Sequence, residues 1–163
     1  MKKLYLIGGP MGIGKTTVAK VLAEKLPKSV YFDGDWAWDL HPFIVNTENI
    51  QMVHENIAFV LNQFLGNSQI ENVIFTWVMH EQAIIDKVLS DLTEHDFKLC
   101  NISLMADEAT LTRNFVNDPK RDESRIPEAL IYLKKYETLN TLKIDRTGKT
   151  PEETAEEIIK RFV

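Results

Sequence analysis

Residues Gly9–Thr16 read Gly-Pro-Met-Gly-Ile-Gly-Lys-Thr. They follow the apolar run Leu4-Tyr5-Leu6-Ile7 and lead into Val18, Leu22 and Leu26 at helical spacing. A G-x-x-x-x-G-K-T stretch between a strand and a helix constrains the fold more than any other feature of the chain. Glycines let the backbone curl until successive N–H groups face one anion. The helix that follows points its positive end at the same place. Gly9, Pro10, Met11, Gly12, Ile13, Gly14, Lys15, Thr16 and Thr17 are therefore expected to cradle a triphosphate. In this reading Lys15 reaches the β- and γ-phosphates and Thr16 offers its hydroxyl to Mg²⁺. The competing reading, a glycine turn before an ordinary helix, does not account for Lys-Thr at that spacing.

Strand and helix patterns alternate along the rest of the chain. Strands are predicted over Lys3–Ile7, Ser29–Phe32, Asn72–Met79, Phe97–Met105 and Thr141–Asp145. Helices are predicted over Lys15–Leu26, Asn49–Leu65, Glu81–Leu92, Glu108–Val116, Pro127–Leu139 and Glu152–Phe162. Asn117–Arg125 is polar and irregular, and Thr150-Pro151-Glu152-Glu153 has the makings of a capping box. Such alternation implies a parallel sheet covered on both faces, with ligands gathered at the carboxyl ends of its strands. The expected architecture is a three-layer α/β P-loop NTPase fold with a five-stranded parallel sheet, in one domain over residues 1–163.

Composition adds exclusions. A net charge of −5 with histidines neutral argues against a broad nucleic-acid-binding face, though not against a local basic pocket. Cys100 is the only cysteine, so no internal disulfide forms; its apolar neighbours suit a core residue and a reducing cytoplasm. The apolar run after Met1-Lys2-Lys3 is too short for a signal peptide, and no segment is long enough to span a bilayer. A cytoplasmic location is the expectation, with oligomeric state left open.

The strand ends carry the chemistry. Phe32-Asp33-Gly34-Asp35-Trp36 places two carboxylates one residue apart beside the phosphate loop. One can hold a water of a magnesium shell and the other can accept a proton from an attacking hydroxyl. Asp-Gly-Asp is also ordinary turn chemistry. The third strand ends in Thr76-Trp77-Val78-Met79-His80, without the aspartate that motor and switch ATPases place there. His54-Glu55 and His80-Glu81 each lack the second histidine of a zinc-protease motif, so no metal site is expected from them.

The phosphate loop followed by Phe-Asp-Gly-Asp resembles the small P-loop metabolite kinases, among them gluconate, shikimate and adenylylsulfate kinases and related nucleotide kinases. Asp33-Gly34-Asp35, His41-Pro42, Asn49-Ile50 and Met52 follow the gluconate kinase pattern with extra residues between them. The acidic, Trp-containing segment that comes next in gluconate kinases is not recognisable. The resemblance implies that Trp36 and Trp38 wall an acceptor pocket; covering the core is the alternative. It also implies a mobile lid over about residues 117–126. Arg113 would lie near adenine and the phosphates, and Arg121 and Arg125 near the phosphoryl group. A solvated charged loop is the alternative there. Arg146 would border the adenine.

The expected function is ATP-dependent transfer of the γ-phosphoryl to a small acceptor: a sugar acid, a nucleoside or nucleotide, or an antibiotic. Lys15, Asp35 and Arg121 are the catalytic set. Thr16 and Asp33 organise Mg²⁺, and Asp33, Asp35, Trp36, Trp38 and Arg125 meet the acceptor. The alternative is an ATP-binding regulatory module or slow NTPase with no metabolite acceptor. Neither a membrane nor a nucleic acid is an expected partner.

Overall fold

The computed structural model describes residues 1–93 and 96–162. Five strands, β1 (Lys2–Gly8), β2 (Ser29–Asp33), β3 (Asn72–Thr76), β4 (Phe97–Met105) and β5 (Leu142–Asp145), form one parallel sheet in the order β2-β3-β1-β4-β5. Six α-helices connect and flank them: α1 (Lys15–Lys25), α2 (Thr47–Gly66), α3 (Gln82–Ser90), α4 (Glu108–Asn117), α5 (Ile126–Glu137) and α6 (Pro151–Phe162). The expected α/β architecture of five parallel strands between helical layers is the observed one.

Alternation along the strands sorts the core into two sides. Tyr5 and Ile7 of β1 join Ile74, Cys100, Ile102 and Leu104 under α1, α4 and α6. Leu4 and Leu6 point the other way and join Val73 and Phe75 under α2 and α3. Helix α5 serves both sides, with Ala129 and Leu133 in the first cluster and Tyr136 in the second, where Leu139 just past its end joins it. Every residue of β3 is buried, as a central parallel strand requires. Cys100 is fully buried, and burial pushes its thiol up to about 11, so it stays protonated in the core.

Local chemistry explains most helix ends. Asn46 caps α2 by accepting from the Asn49 amide at 2.8 Å, and Val53, Ile57, Leu61 and Leu65 form its buried stripe. Thr150 and Glu153 make the reciprocal pair of a capping box at 3.1 and 2.8 Å before α6. Some predicted boundaries move. Helix α2 begins at Thr47 rather than Asn49, because the Asn46 cap lies further upstream, and Gly66 is its last residue rather than the one beyond. Strand β3 stops at Thr76, not Met79. The Trp77 amide still reaches the Ile7 carbonyl at 3.3 Å, but its ring turns against Gly34 and the chain leaves the sheet. Two short 3-10 turns, Gly34–Trp38 and Glu123–Arg125, occupy segments read as irregular.

Candidate active site

The connection from β1 to α1 is built on left-handed glycines. Gly12 has φ of 83° and Gly14 of 95°, conformations costly for any other residue. Side chains crowd both. A Cβ on Gly12 would lie 2.5 Å from the Phe115 ring, and one on Gly14 would overlap Arg146 Nη1. Two donors tie the loop's carbonyls outward: Asn114 Nδ2 bonds Gly12 O at 3.0 Å, and Arg146 Nη1 bonds Ile13 O. No side chain caps α1 and no acid stands in its first turn, so its positive end is open to an anion. Lys15 Nζ lies back on Gly9 O at 2.8 Å and Pro10 O at 3.1 Å. Burial lowers the Lys15 ammonium to about 8, against the pull of Asp35 and Asp33; Arg121 adds to the lowering.

Asp33 closes β2 and ties three groups together. Its Oδ1 accepts the Asp35 amide at 3.0 Å and so caps the following turn. Its Oδ2 accepts from Thr16 Oγ1 at 3.2 Å and from the Tyr31 hydroxyl at 3.0 Å. Tyr31 OH also lies 3.0 Å from Thr76 Oγ1. Burial holds the Tyr31 phenol up at about 12, so it keeps its proton. Thr76 is the register partner of Asp33 across β2 and β3. Strand β3 ends without a carboxylate, and Asp33, its register neighbour one strand over, accepts from Thr16.

Asp35 follows on the first 3-10 turn. Burial raises its carboxyl above the usual carboxylate range and Asp33 raises it further, while Lys15 and Arg121 oppose the rise. Arg121 sits on the α4–α5 connection, with Nε 3.3 Å from Asp118 Oδ2 and its guanidinium 5.2 Å over the Phe115 ring. Through Phe115 that arginine is packed onto the glycine loop. Arg125 bonds Glu128 Oε2 twice, each at 3.0 Å. Arg113 is held on its own helix by Thr110 at 3.2 Å.

Beside the loop opens a cleft of about 790 Å³. Asp35, Trp38, Arg121 and Arg125 line it, together with Phe43, Trp77, His54, His80 and Tyr132. Trp36, named in the sequence as a wall, is 70% exposed and is not among the lining residues. Arg146 lies on the phosphate loop's Ile13 and Gly14. Sequence reasoning missed Tyr31, Thr76, Asn114 and Phe115. Thr76 had a signal, its place at a strand end; the other three had none a local pattern could show. Among the described residues no cluster of three metal-ligating side chains occurs, and no helix is long and apolar enough to cross a membrane.

A parallel sheet with a glycine phosphate loop after its first strand and an acid pair after its second defines a protein of the P-loop kinase fold. The family model described as AAA domain matches residues 6–131, and the chain belongs to that P-loop family. A Pyrococcus furiosus protein provisionally named adenylate kinase is 29% identical over 164 residues, covering 96% of this chain and 82% of the relative. The deoxyadenosine kinase of Lactobacillus acidophilus is 23% identical over 167 residues, covering 94% and 70%. Among solved structures, shikimate kinase from Acinetobacter baumannii in complex with shikimate superposes with a TM-score of 0.65 at 22% identity, covering 99% of this chain and 92% of that one. The family and fold expected from the glycine loop and Asp33-Gly34-Asp35 are those found.

Proposed function

We propose that this chain is an ATP-dependent phosphotransferase that moves the γ-phosphoryl of ATP to a hydroxyl or phosphate oxygen of a small molecule. One observation carries the reading: Asp33 Oδ2 meets Thr16 Oγ1 of the glycine loop at 3.2 Å, while Asp35, two residues on, and Arg121 line the cleft that opens beside that loop. The names of the two relatives support a nucleoside or nucleotide acceptor.

The loop amides and Lys15 bind the triphosphate and neutralise charge on its outer phosphates. Lys15 exchanges its two loop carbonyls for phosphate oxygens as nucleotide enters. Thr16 Oγ1 and Asp33 Oδ2, converging at 3.2 Å, are the oxygen ligands or water-holders that suit Mg²⁺. Bound there, the ion would screen the phosphate charge and lower the barrier to attack. Tyr31 and the Asp35 amide hold Asp33 in that pose. Asp35 takes the proton from the acceptor hydroxyl as its oxygen bonds to the γ-phosphorus. The bond from that phosphorus to the bridging oxygen breaks, and ADP leaves. Arg121 stabilises the phosphoryl group in flight, and residues 117–126 act as the lid that brings it over and excludes water.

A regulatory ATP-binding module was the other reading of the sequence, since β3 lacks an acid. Asp33 beside Thr16 weakens that argument. The deciding experiment is ADP release from purified protein with magnesium-ATP, with and without a panel of nucleosides, nucleotides, sugars and sugar acids. Acceptor-dependent release with a phosphorylated product supports the phosphotransferase. Slow release that no acceptor changes supports the module.

A further inference from the structure

The wall of the cleft away from the phosphate loop is built from rings. They come in three pairs. Trp38 and Phe43 lie 5.6 Å apart, His54 meets Trp77 edge-on at 5.4 Å, and His80 stacks on Tyr132 at 4.3 Å with the planes 10° apart. All six line the same cavity. Burial lowers both histidines below their ordinary values, so they face the cleft as neutral rings at neutral pH. A planar heterocycle offers a flat face to stack on these rings.

The charges of the cleft point the same way. Its described lining has the carboxylates of Asp35, Asp39 and Glu128 against the guanidiniums of Arg121 and Arg125. Arg121 is paired with Asp118, and Arg125 makes two hydrogen bonds to Glu128. A carboxylate or phosphate on the acceptor would enter a partly desolvated site whose lining has three carboxylates against two guanidiniums.

The geometry points to an uncharged, heterocycle-bearing alcohol of the nucleoside class as the acceptor, in preference to a nucleoside monophosphate or a sugar acid. This rests on the phosphotransferase reading for its chemistry. The base lies among Trp38, Phe43, Trp77 and Tyr132 and the sugar reaches Asp35. There the hydroxyl proton passes to the carboxylate, the hydroxyl oxygen bonds to the γ-phosphorus, and ADP departs.

The test uses the full chain saturated with a non-hydrolysable ATP analogue and magnesium. Dissociation constants are measured for nucleosides, their 5′-monophosphates, gluconate and shikimate. A nucleoside should bind at least about tenfold more tightly than its monophosphate and than either sugar acid. Tighter binding of a monophosphate or a sugar acid, or no nucleoside binding at all, overturns the inference. Glu128→Gln frees the Arg125 guanidinium and should shift the preference several-fold toward the monophosphate; an unchanged ratio overturns the charge argument. Phe43→Ala, at a residue 66% exposed and so safe for folding, should weaken nucleoside binding about tenfold while leaving analogue affinity unchanged. Equal nucleoside affinity in that variant counts against the ring wall. Phosphoryl transfer is scored separately with labelled ATP. Nucleoside binding without transfer rejects the phosphotransferase and leaves only a nucleoside-binding cleft, whereas transfer to a sugar acid without nucleoside binding keeps the phosphotransferase and overturns the nucleoside inference.

Discussion

The phosphate loop and the acceptor cleft share a boundary at Asp35 but are made in opposite ways. The loop is one run of consecutive residues, Gly9–Thr16, and its ligand-facing groups are mostly backbone. Its shape follows from left-handed glycines, and three distant side chains, Asn114, Phe115 and Arg146, hold it from outside. The cleft is made of side chains from seven places: Met11 of the phosphate loop, the connection between β2 and α2, helix α2, the exit of β3, Ile84 of α3, the α4–α5 connection and helix α5. A site made of backbone binds what every nucleoside triphosphate has in common. A site made of gathered side chains distinguishes one acceptor from another. The two ends should therefore fail separately when changed.

The largest separation is expected at the acid pair. Asp35→Asn should lower transfer by about 10²–10⁴-fold while nucleotide affinity stays within a few-fold, because a base is used only in the chemical step. Asp33→Asn should weaken magnesium-dependent nucleotide binding as well, since its Oδ2 is the partner of Thr16. Nucleotide titrations with and without Mg²⁺, beside a transfer assay, compare the two; normal transfer by both variants would remove the acid pair from the chemistry.

Lys15→Ala comes next, with a loss of about 10²–10³-fold in ATP turnover. Its Nζ bonds only to Gly9 and Pro10 carbonyls, so the melting transition should persist. Acceptor binding to the apo protein should be unchanged; if it collapses as well, the two ends are one cooperative unit and the contrast drawn above is wrong.

Gly14→Ala probes how the loop is held. A Cβ there meets Arg146 Nη1 and also forces alanine into a left-handed backbone. The expected cost is about 2–3 kcal/mol of stability, with weakened nucleotide binding. Adding Arg146→Ala should return the steric share and leave the backbone share. Thermal melts of both variants measure the two; no recovery would mean that Arg146 is not what crowds the loop.

The smallest effect is a proton. The Lys15 ammonium lies near 8 in the nucleotide-free protein because burial disfavours its charge, and a triphosphate beside it restores the charge. The charged form exists below that value and is lost above it. Nucleotide affinity should therefore be flat below about pH 8 and fall above it, by at most about tenfold per pH unit, with a proton taken up on binding. Calorimetry in two buffers of different ionisation enthalpy detects the uptake, and Lys15→Arg should flatten the profile.

Much of this protein is legible in its sequence because the deciding chemistry is local. The glycine loop, the strand–helix alternation, the Thr150 cap and the placement of Asp33-Gly34-Asp35 after the second strand all depend on neighbouring residues and backbone conformation. Those patterns were enough for the P-loop fold and the family. What they could not settle depends on which strands become neighbours. Only the β2–β3 pairing puts Asp33 opposite Thr76, at the end of a strand that carries no acid of its own. Only the folded chain lays Asn114 and Arg146 on the loop's carbonyls, more than a hundred residues away along the backbone. The same holds for the aromatic wall. Trp36 and Trp38 look equivalent in sequence, yet a 3-10 turn sends one into solvent and the other into the cleft beside Phe43. The sequence alone determined the fold, the family and where in them a glycine loop of the phosphate-binding kind sits. The tertiary structure decided what lies across from it, because an acceptor site is a set of long-range contacts and no run of neighbouring residues encodes it.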